Sequence, residues 1–477
     1  MTTTSPGPAA ATGTPADDLP GAPLLTVVVL CFGGLVTALT QTMVIPIQGE
    51  LGRLLGTTEA NASWVVTATL VAGAVAMPIA GRLGDLFGKQ RVLAICAGAL
   101  VLGSLVCALS NTLVPMLAGR LLQGLAMGFI PVGIALMREV TPPRLTATGI
   151  AAMSATLGVG GAIALPLSAW IVQHYSWHAL FWVSTVLAAA VALAVVALVP
   201  HVRDAVPGRF DAVGAVGLAI GLVALLVAVS KGNEWGWAHG RTIGLAIAGV
   251  LVLLAWGSYE LRVSDPLCDL RVSARRPVLL TNIAAIAIGF GMLAQAIVVP
   301  RLLQAPVETG YGLGQTLIET GLWLAPGGLV MMAFSPVSGR LIGLLGARVT
   351  LMIGGIVLGL GYLFAVFLTD APWQLMVANC ITSAGVGIGY AAMPTLILEN
   401  VPVSEAGSAV GINGLMRSIG TSIAAAVMVA ILTATTVDFG GHALPSADAF
   451  RACFIVGAGA AFLGVLFAGL VPRRRTA

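Results

Sequence analysis

Two arginines stand inside runs that are otherwise apolar. Arg120 lies in GRLLQGLAMG, three residues before Gln123, and Arg417 lies in NGLMRSIG, four residues after Asn413. On a helix these spacings put each amide on the same face as its guanidinium. A charge at the centre of a bilayer costs about 2.5–3.5 kcal/mol even on lenient insertion scales, so each arginine must face protein or water. Both are candidates for contact with a substrate or a proton path; a tie to neighbouring carbonyls is the plainer role. No carboxylate sits deep in any apolar run. Glu319, about one turn into its run, is the best candidate proton carrier, because desolvation favours the neutral acid. Asp211 and Glu260 sit at run ends and read as caps or interface residues. A cavity could draw its walls from Gln41, Trp170, Trp182 and Tyr390, with Phe181 and Met43, although packing is the commoner fate of such side chains. The densest charge is in GRLGDLFGKQR, Gly81 to Arg91, a stretch between two apolar runs.

Enzyme chemistry finds no foothold. There is no Ser/His/Asp pattern and no His-rich metal pattern at membrane depth, and the five His are scattered in or near loops. GVGIGY at 385–390 is spelled like a nucleotide loop, but it lies inside an apolar run with no strand before it. No catalytic residue, metal or cofactor is expected. The six Cys form no CxxC pair and read as small core-filling residues.

The elements that must position these residues are membrane spans. The chain has 477 residues, 58% of them hydrophobic and only 9% charged, where a soluble protein carries about a quarter. Apolar runs of bilayer-crossing length recur, near 24–46, 62–82, 92–110, 113–137, 147–172, 179–199, 212–230, 242–260, 279–300, 316–338, 349–369, 373–397, 408–432 and 450–471. With both termini in the cytoplasm, the cytoplasmic segments hold sixteen Lys and Arg and the outer segments five. The positive-inside rule therefore selects that orientation. Residues 1–22 have no basic region ahead of the first run, so they read as a disordered tail and not as a cleaved signal. The small net charge of +4 is no argument for nucleic acid.

The runs repeat. PIAGRLGDLFG (78–88) and PVSGRLIGLLG (336–346) align at a constant offset, with Pro78/Pro336, Gly81/Gly339, Arg82/Arg340 and Gly88/Gly346 identical. Gly149 and Gly407 hold the same offset. The copies lie eight spans apart, so two parallel six-helix units follow, with spans 7 and 8 inserted between them. The expected divisions are a tail at 1–22, a first bundle at 23–200, an insert at 201–277, a second bundle at 278–472 and a basic tail at 473–477. Parallel halves around a midplane site are a plan of secondary transporters.

Over roughly 24–471 the chain resembles the major facilitator superfamily. GRLGDLFGKQR is similar to its loop 2–3 signature, GRLLQGLAMG (119–128) to its helix 4 motif, GRFDAVGAVGLAIGL (208–222) to its entry to helix 7 and NGLMRSIG (413–420) to its helix 13 motif. Fourteen spans resemble its drug/proton antiporter branch. The resemblance implies a gate motif of Gly81, Leu83, Asp85, Gly88, Lys89 and Arg91. In it Asp85 latches the two halves, with Arg138 or the start of helix 13 near Gly407 as partner. The helix 5 motif keeps Gly158, Gly160, Gly161 and Pro166, but Leu165, Ala169 and Trp170 replace its other glycines. Helix 1 carries Thr40 and Gln41 where many relatives carry Asp. The implied activity is proton-coupled export of small hydrophobic or amphipathic compounds from a monomer in the cell membrane. A metabolite symporter or uniporter of the same superfamily is the alternative; a receptor or scaffold would want a larger soluble domain than these loops provide.

Overall fold

The computed structural model describes residues 22–201, 208–439 and 442–472. The tail expected at 1–22, but for its last residue, and the basic tail at 473–477 lie outside them. Among the described residues, fourteen helices are long and apolar enough to cross a membrane: α1 Pro23–Ile47, α2 Glu59–Phe87, α3 Lys89–Leu109, α4 Leu113–Val140, α5 Leu145–His174, α6 His178–Leu198, α7 Ala212–Trp235, α8 Gly240–Glu260, α9 Arg276–Gln304, α10 Leu317–Leu345, α11 Ala347–Phe367, α12 Pro372–Asn400, α13 Val403–Ala434 and α14 Ala447–Gly469. Each meets one expected span. They form two six-helix halves, α1–α6 and α9–α14, with α7 and α8 inserted.

One apolar core is built mainly from α9–α14, around Leu303, Leu358, Tyr362 and Phe454. Two others belong mainly to α1–α6, around Leu30, Phe129 and Met137 and around Met43, Leu51 and Phe181. A fourth shows where the insert sits. Leu218, Leu222 and Leu226 of α7 pack on Val71 and Val75 of α2 and on Leu415 of α13, and Leu267 and Cys268 close one end. Helix α7 thus fills the groove beside the contact between the halves. Only 11% of the apolar window of α8 is buried in the protein, so α8 presents its hydrophobic surface outward.

Several helices run further than their apolar character predicts, α2 and α7 among them. Helix α2 continues to Phe87, and α3 begins at Lys89, leaving Gly88 alone between them. The connection between the runs ending near 82 and starting near 92 is therefore one residue, Gly88, with φ +97°; its counterpart Gly346 has φ +80°. Only glycine enters that region freely. Gly81 lies inside α2 and makes no turn. Helix α7 continues to Trp235 and takes Lys231 inside, where a loop was expected. Lys231 is 1% exposed. Its ammonium bonds Glu234 at 2.8 Å and the Ser63 hydroxyl, and lies 4.7 Å from the centre of the Trp64 ring. A second unexpected element is a hairpin in the α13–α14 connection, β1 Thr436–Phe439 pairing antiparallel with β2 His442–Pro445.

The sequence repeat reappears as two seams between the halves. In one, α2 meets α13, and a Cβ on Gly81 would strike the carbonyl of Gly407. In the other, α10 meets α5, and a Cβ on Gly339 would come within 2.9 Å of the Thr148 hydroxyl, beside Gly149. Gly81 and Gly339 are repeat partners, as are Gly407 and Gly149. Small residues allow helices in lipid to approach closely, and the same small-residue contact closes both seams at one end of the molecule. We call this the basic end, after its Arg and Lys content.

Candidate functional site

Asp85 closes the first seam. Regular helix in α13 begins at Ala406, and the preceding Glu405 supplies no side-chain cap. The first amides of a helix have no internal partner. Here the Gly407 amide donates to Asp85 Oδ1 at 3.0 Å and the Ser408 amide to Oδ2 at 2.9 Å. A residue of one half thus caps a helix of the other. The carboxylate is 1% exposed. It sits on the positive end of the α13 dipole, which adds to the attraction. Hydrogen bonds to a buried charge contribute about 1.5–3 kcal/mol each.

The surrounding charges are arranged to keep that carboxylate in place. Lys89 Nζ lies 3.3 Å from Asp85 Oδ1 and 2.7 Å from Glu139 Oε1. Lys89 is therefore a buried bridge, not the solvent-facing topology anchor its place in a basic loop implied; Arg91 is exposed. Leu83 packs on the core of the first half. Arg138 reaches across to the Val401 carbonyl at 3.5 Å, so it spans the same interface beside Asp85. Glu139 carried no sequence signal beyond its place at the end of a run.

Arg120 is 1% exposed. Nε donates to the Val65 carbonyl at 3.1 Å, and Nη1 to the Thr40 carbonyl at 3.5 Å and to Gln123 Oε1 at 2.7 Å. Gln123 Nε2 continues to Ser104 Oγ at 2.9 Å. The guanidinium thus ties α1, α2, α3 and α4 together. Arg120→Ala should take this donor from Gln123 Oε1 and the Thr40 carbonyl in an apolar interior, whereas the Val65 carbonyl keeps the Thr69 hydroxyl. At about 1–3 kcal/mol per unsatisfied buried group, the thermal midpoint of the detergent-solubilised protein should fall by several degrees. An unchanged midpoint would remove the tie.

Arg417 lies in a different setting. Nη1 donates to Asn413 Oδ1 at 3.2 Å, and Asn413 Nδ2 to Asn282 Oδ1 at 3.0 Å. The guanidinium stands 4.5 Å from the centre of the Tyr390 ring. Nearby in the same half Gln295 Nε2 meets Asn379 Oδ1 at 3.4 Å, and Gln295 Oε1 is buried without a partner. Asn282, Gln295 and Asn379 were missed in the sequence; single amides inside apolar runs are the signal that marks them.

Other expected residues fall elsewhere. Glu319 is exposed and forms a capping box: its Oε2 accepts the Thr316 amide at 2.8 Å, and its own amide donates to Thr316 Oγ1 at 3.3 Å. It begins α10 at the end opposite the basic end instead of entering the bundle, so the geometry does not fit a buried proton carrier. Glu319→Gln should therefore keep the protein's activity within about twofold of wild type; loss of activity in that variant would restore the assignment. Trp170 and Trp182 are 51% and 45% exposed. Trp170 stacks beside His174 and Tyr175, and neither tryptophan lines an interior cavity. Gln41 keeps a buried, unpartnered Nε2 and remains a wall candidate.

In α5, a Cβ on Gly158 would strike Met331 of α10, and one on Gly160 would come within 2.7 Å of Ala38 of α1. Gly161 is looser, with Thr42 Oγ1 3.8 Å from such a Cβ. Pro166 lines a groove of about 280 Å³ with Val159, Ile163, Leu167, Ala325, Gly328 and Leu329. This groove is apolar and lies between the halves, away from the basic end.

Two six-helix halves meeting at glycine seams, with a charged side chain of one half capping a helix of the other at one end, define a membrane transporter and not an enzyme. The model of the Major Facilitator Superfamily matches residues 30–425 and 266–477, and the chain belongs to that superfamily. It is 25% identical over 417 residues to the uncharacterized MFS-type transporter YhcA of Bacillus subtilis, covering 87% of this chain and 77% of that one. It is 26% identical over 442 residues to the tetracenomycin C resistance and export protein of Streptomyces glaucescens, covering 92% and 81%. Its fold is similar to that of the human organic anion transporter MFSD10, with a TM-score of 0.67 at 16% identity over 94% of this chain and 99% of the other.

Proposed function

We propose that the protein is a proton-coupled exporter of small hydrophobic or amphipathic compounds, of the fourteen-helix drug/proton antiporter branch, working by alternating access as a monomer in the cell membrane. The observation that carries this reading is the cross-half cap of α13 by Asp85. A bond that crosses the seam at one end forms in one arrangement of the halves and breaks when they rock. The export direction draws on the relative named for tetracenomycin C resistance and export. The apolar groove beside Pro166 suits a greasy substrate. The excess of Lys and Arg at the basic end supports a cytoplasmic side for that end and for both termini, which makes the arrangement described the one closed to the cytoplasm. The two bundles at 23–200 and 278–472 are the moving bodies, with 201–277 as the insert. Linkage requires that proton and substrate favour different states or compete for one.

The test is flux in proteoliposomes of defined orientation, with a panel of lipophilic fluorescent dyes and an imposed pH gradient. Dye movement driven by that gradient, with dye-stimulated proton movement in return, is the expected result. Dye that only equilibrates, at a rate indifferent to the gradient, favours a uniporter and overturns coupling.

A further inference from the structure

Among the described residues Asp85 is the buried acid of the bundles and is held as a cap, whereas in the insert the buried Glu260 and the half-buried Asp211 lie together. Asp211 caps α7 through Oδ1, which accepts the Gly214 amide at 2.8 Å and the Tyr259 hydroxyl at 3.1 Å. Its Oδ2 is buried without a partner. Glu260, the last residue of α8, is 2% exposed, and neither of its oxygens has a partner. The two carboxylates converge: a Cβ on Gly214 would overlap Asp211 Oδ2 and lie 2.5 Å from Glu260 Oε1. The amides of Leu267 and Cys268 and the Trp256 indole face Glu260 without closing a hydrogen bond of ordinary geometry.

Two adjacent carboxylates in a buried site cannot both stay ionised without a counter-charge. Among the described residues no third acid, Cys or His completes a metal site here. A proton satisfies both groups at once. We infer that Asp211 and Glu260 share one proton, held between Asp211 Oδ2 and Glu260 Oε1, and form a proton-binding site in the inserted helices. This rests on the proton-coupled reading above and gives that reading its missing acid.

The site adjoins the gate. Cys268 lies within electrostatic reach of both Glu260 and Arg82; burial and then the Glu260 charge push its thiol up, and the Arg82 guanidinium opposes this. Arg82 stands one turn before Asp85 on α2, and its Nε is buried without a partner. Tyr259 of α8 and Cys268 of the following loop face the pair; Arg82 of α2 lies beyond Cys268, with Asp265 and Glu405 as its other charged neighbours. Loss of the shared proton leaves two negative charges that draw Arg82 toward the insert. That pull acts on the same helical turn that carries Asp85.

The test is pH-difference infrared spectroscopy on the purified full-length protein in lipid. Wild type should show the C=O band of a protonated carboxylic acid that disappears as pH rises. Glu260→Gln should abolish it, whereas Asp211→Asn, which removes the neighbouring charge and leaves Glu260 buried, should keep a band whose midpoint moves down. Both changes are near-isosteric, and Asn still caps a helix. A band that persists in Glu260→Gln, or one that Asp211→Asn abolishes or leaves unmoved, overturns the site. If neither variant can be purified, Tyr259→Phe decides. It removes a donor to the ionised Asp211, so the midpoint should move up by about 0.5–1 pH unit; an unmoved midpoint overturns the site. Pyranine-monitored export by wild type separates the two claims. A band without pH-driven export sinks the coupling and leaves the site, whereas pH-driven export without a band sinks the site alone.

Discussion

Asp85→Asn should insert and fold as wild type does but export substrate at least about tenfold more slowly. The Asn side chain has the same shape and can still accept one amide, so the α2–α13 contact does not collapse. What goes is the charge that held the Gly407 and Ser408 amides and the α13 dipole. Lys89 keeps its 2.7 Å partner Glu139, so no buried cation is orphaned. A loss of about 2–3 kcal/mol from the closed arrangement follows from charged hydrogen bonds of this kind. Since about 1.4 kcal/mol is tenfold in an equilibrium, the closed population drops by roughly 30- to 150-fold relative to the open one. The measurement is initial export rate per molecule of reconstituted protein, across the same dye panel. Wild-type rates in the variant would show that the carboxylate is a structural cap with no part in the cycle.

Gly81→Val should abolish export while protein remains in the membrane at near wild-type level. Any Cβ here meets the Gly407 carbonyl, and Gly407 in turn faces the Gly81 carbonyl at 2.5 Å from its own missing Cβ. Backbone on both sides cannot give way as a flexible side chain can. Overpacking typically costs about 1–3 kcal/mol, and here the whole cost falls on the arrangement in which the seam is closed. Gly343→Ala is the control. Gly343 replaces Asp85 in the second copy, and a Cβ there has nothing within 4 Å. It should transport normally. Equal loss in both variants would mean that the basic end is merely fragile.

The architecture was legible because its signal is local. Runs of bilayer length announce spans whatever packs around them, and all fourteen stand where the apolar character put them. The constant offset between PIAGRLGDLFG and PVSGRLIGLLG likewise carried the two seams, because repeat partners end up on corresponding helices. Helix ends were less legible, and Asp85 and Lys231 show why. Each is a charge that reads as loop, yet each is helical and buried because its partner comes from elsewhere: α13 for Asp85, the Ser63–Trp64 turn for Lys231. No window of neighbouring residues contains that information.

The candidate site divided in the same way. Glu319 was readable as a cap, since Thr316 stands three residues before it, the spacing of a capping box; its nearness to a membrane run drew attention away from that. Trp170 and Trp182 were chosen by residue type, and type does not say which face of a helix looks inward. Glu260 was read as a cap or interface residue. Its burial against Asp211 comes from the packing of α7 on α8 and from the loop that places Leu267 and Cys268 over it.

The central claim is that Asp85 holds two rocking halves together at the basic end. The most direct measurement is a pulsed electron paramagnetic resonance distance between spin labels at Phe87 of α2 and Val403 of α13. Both positions are exposed and lie on opposite halves beside the cap. The labels would be placed in a background with the six native cysteines replaced. In wild type the distribution should hold a dominant short component, and Asp85→Asn should shift population from it to a longer one. Identical distributions in the two proteins would contradict the latch.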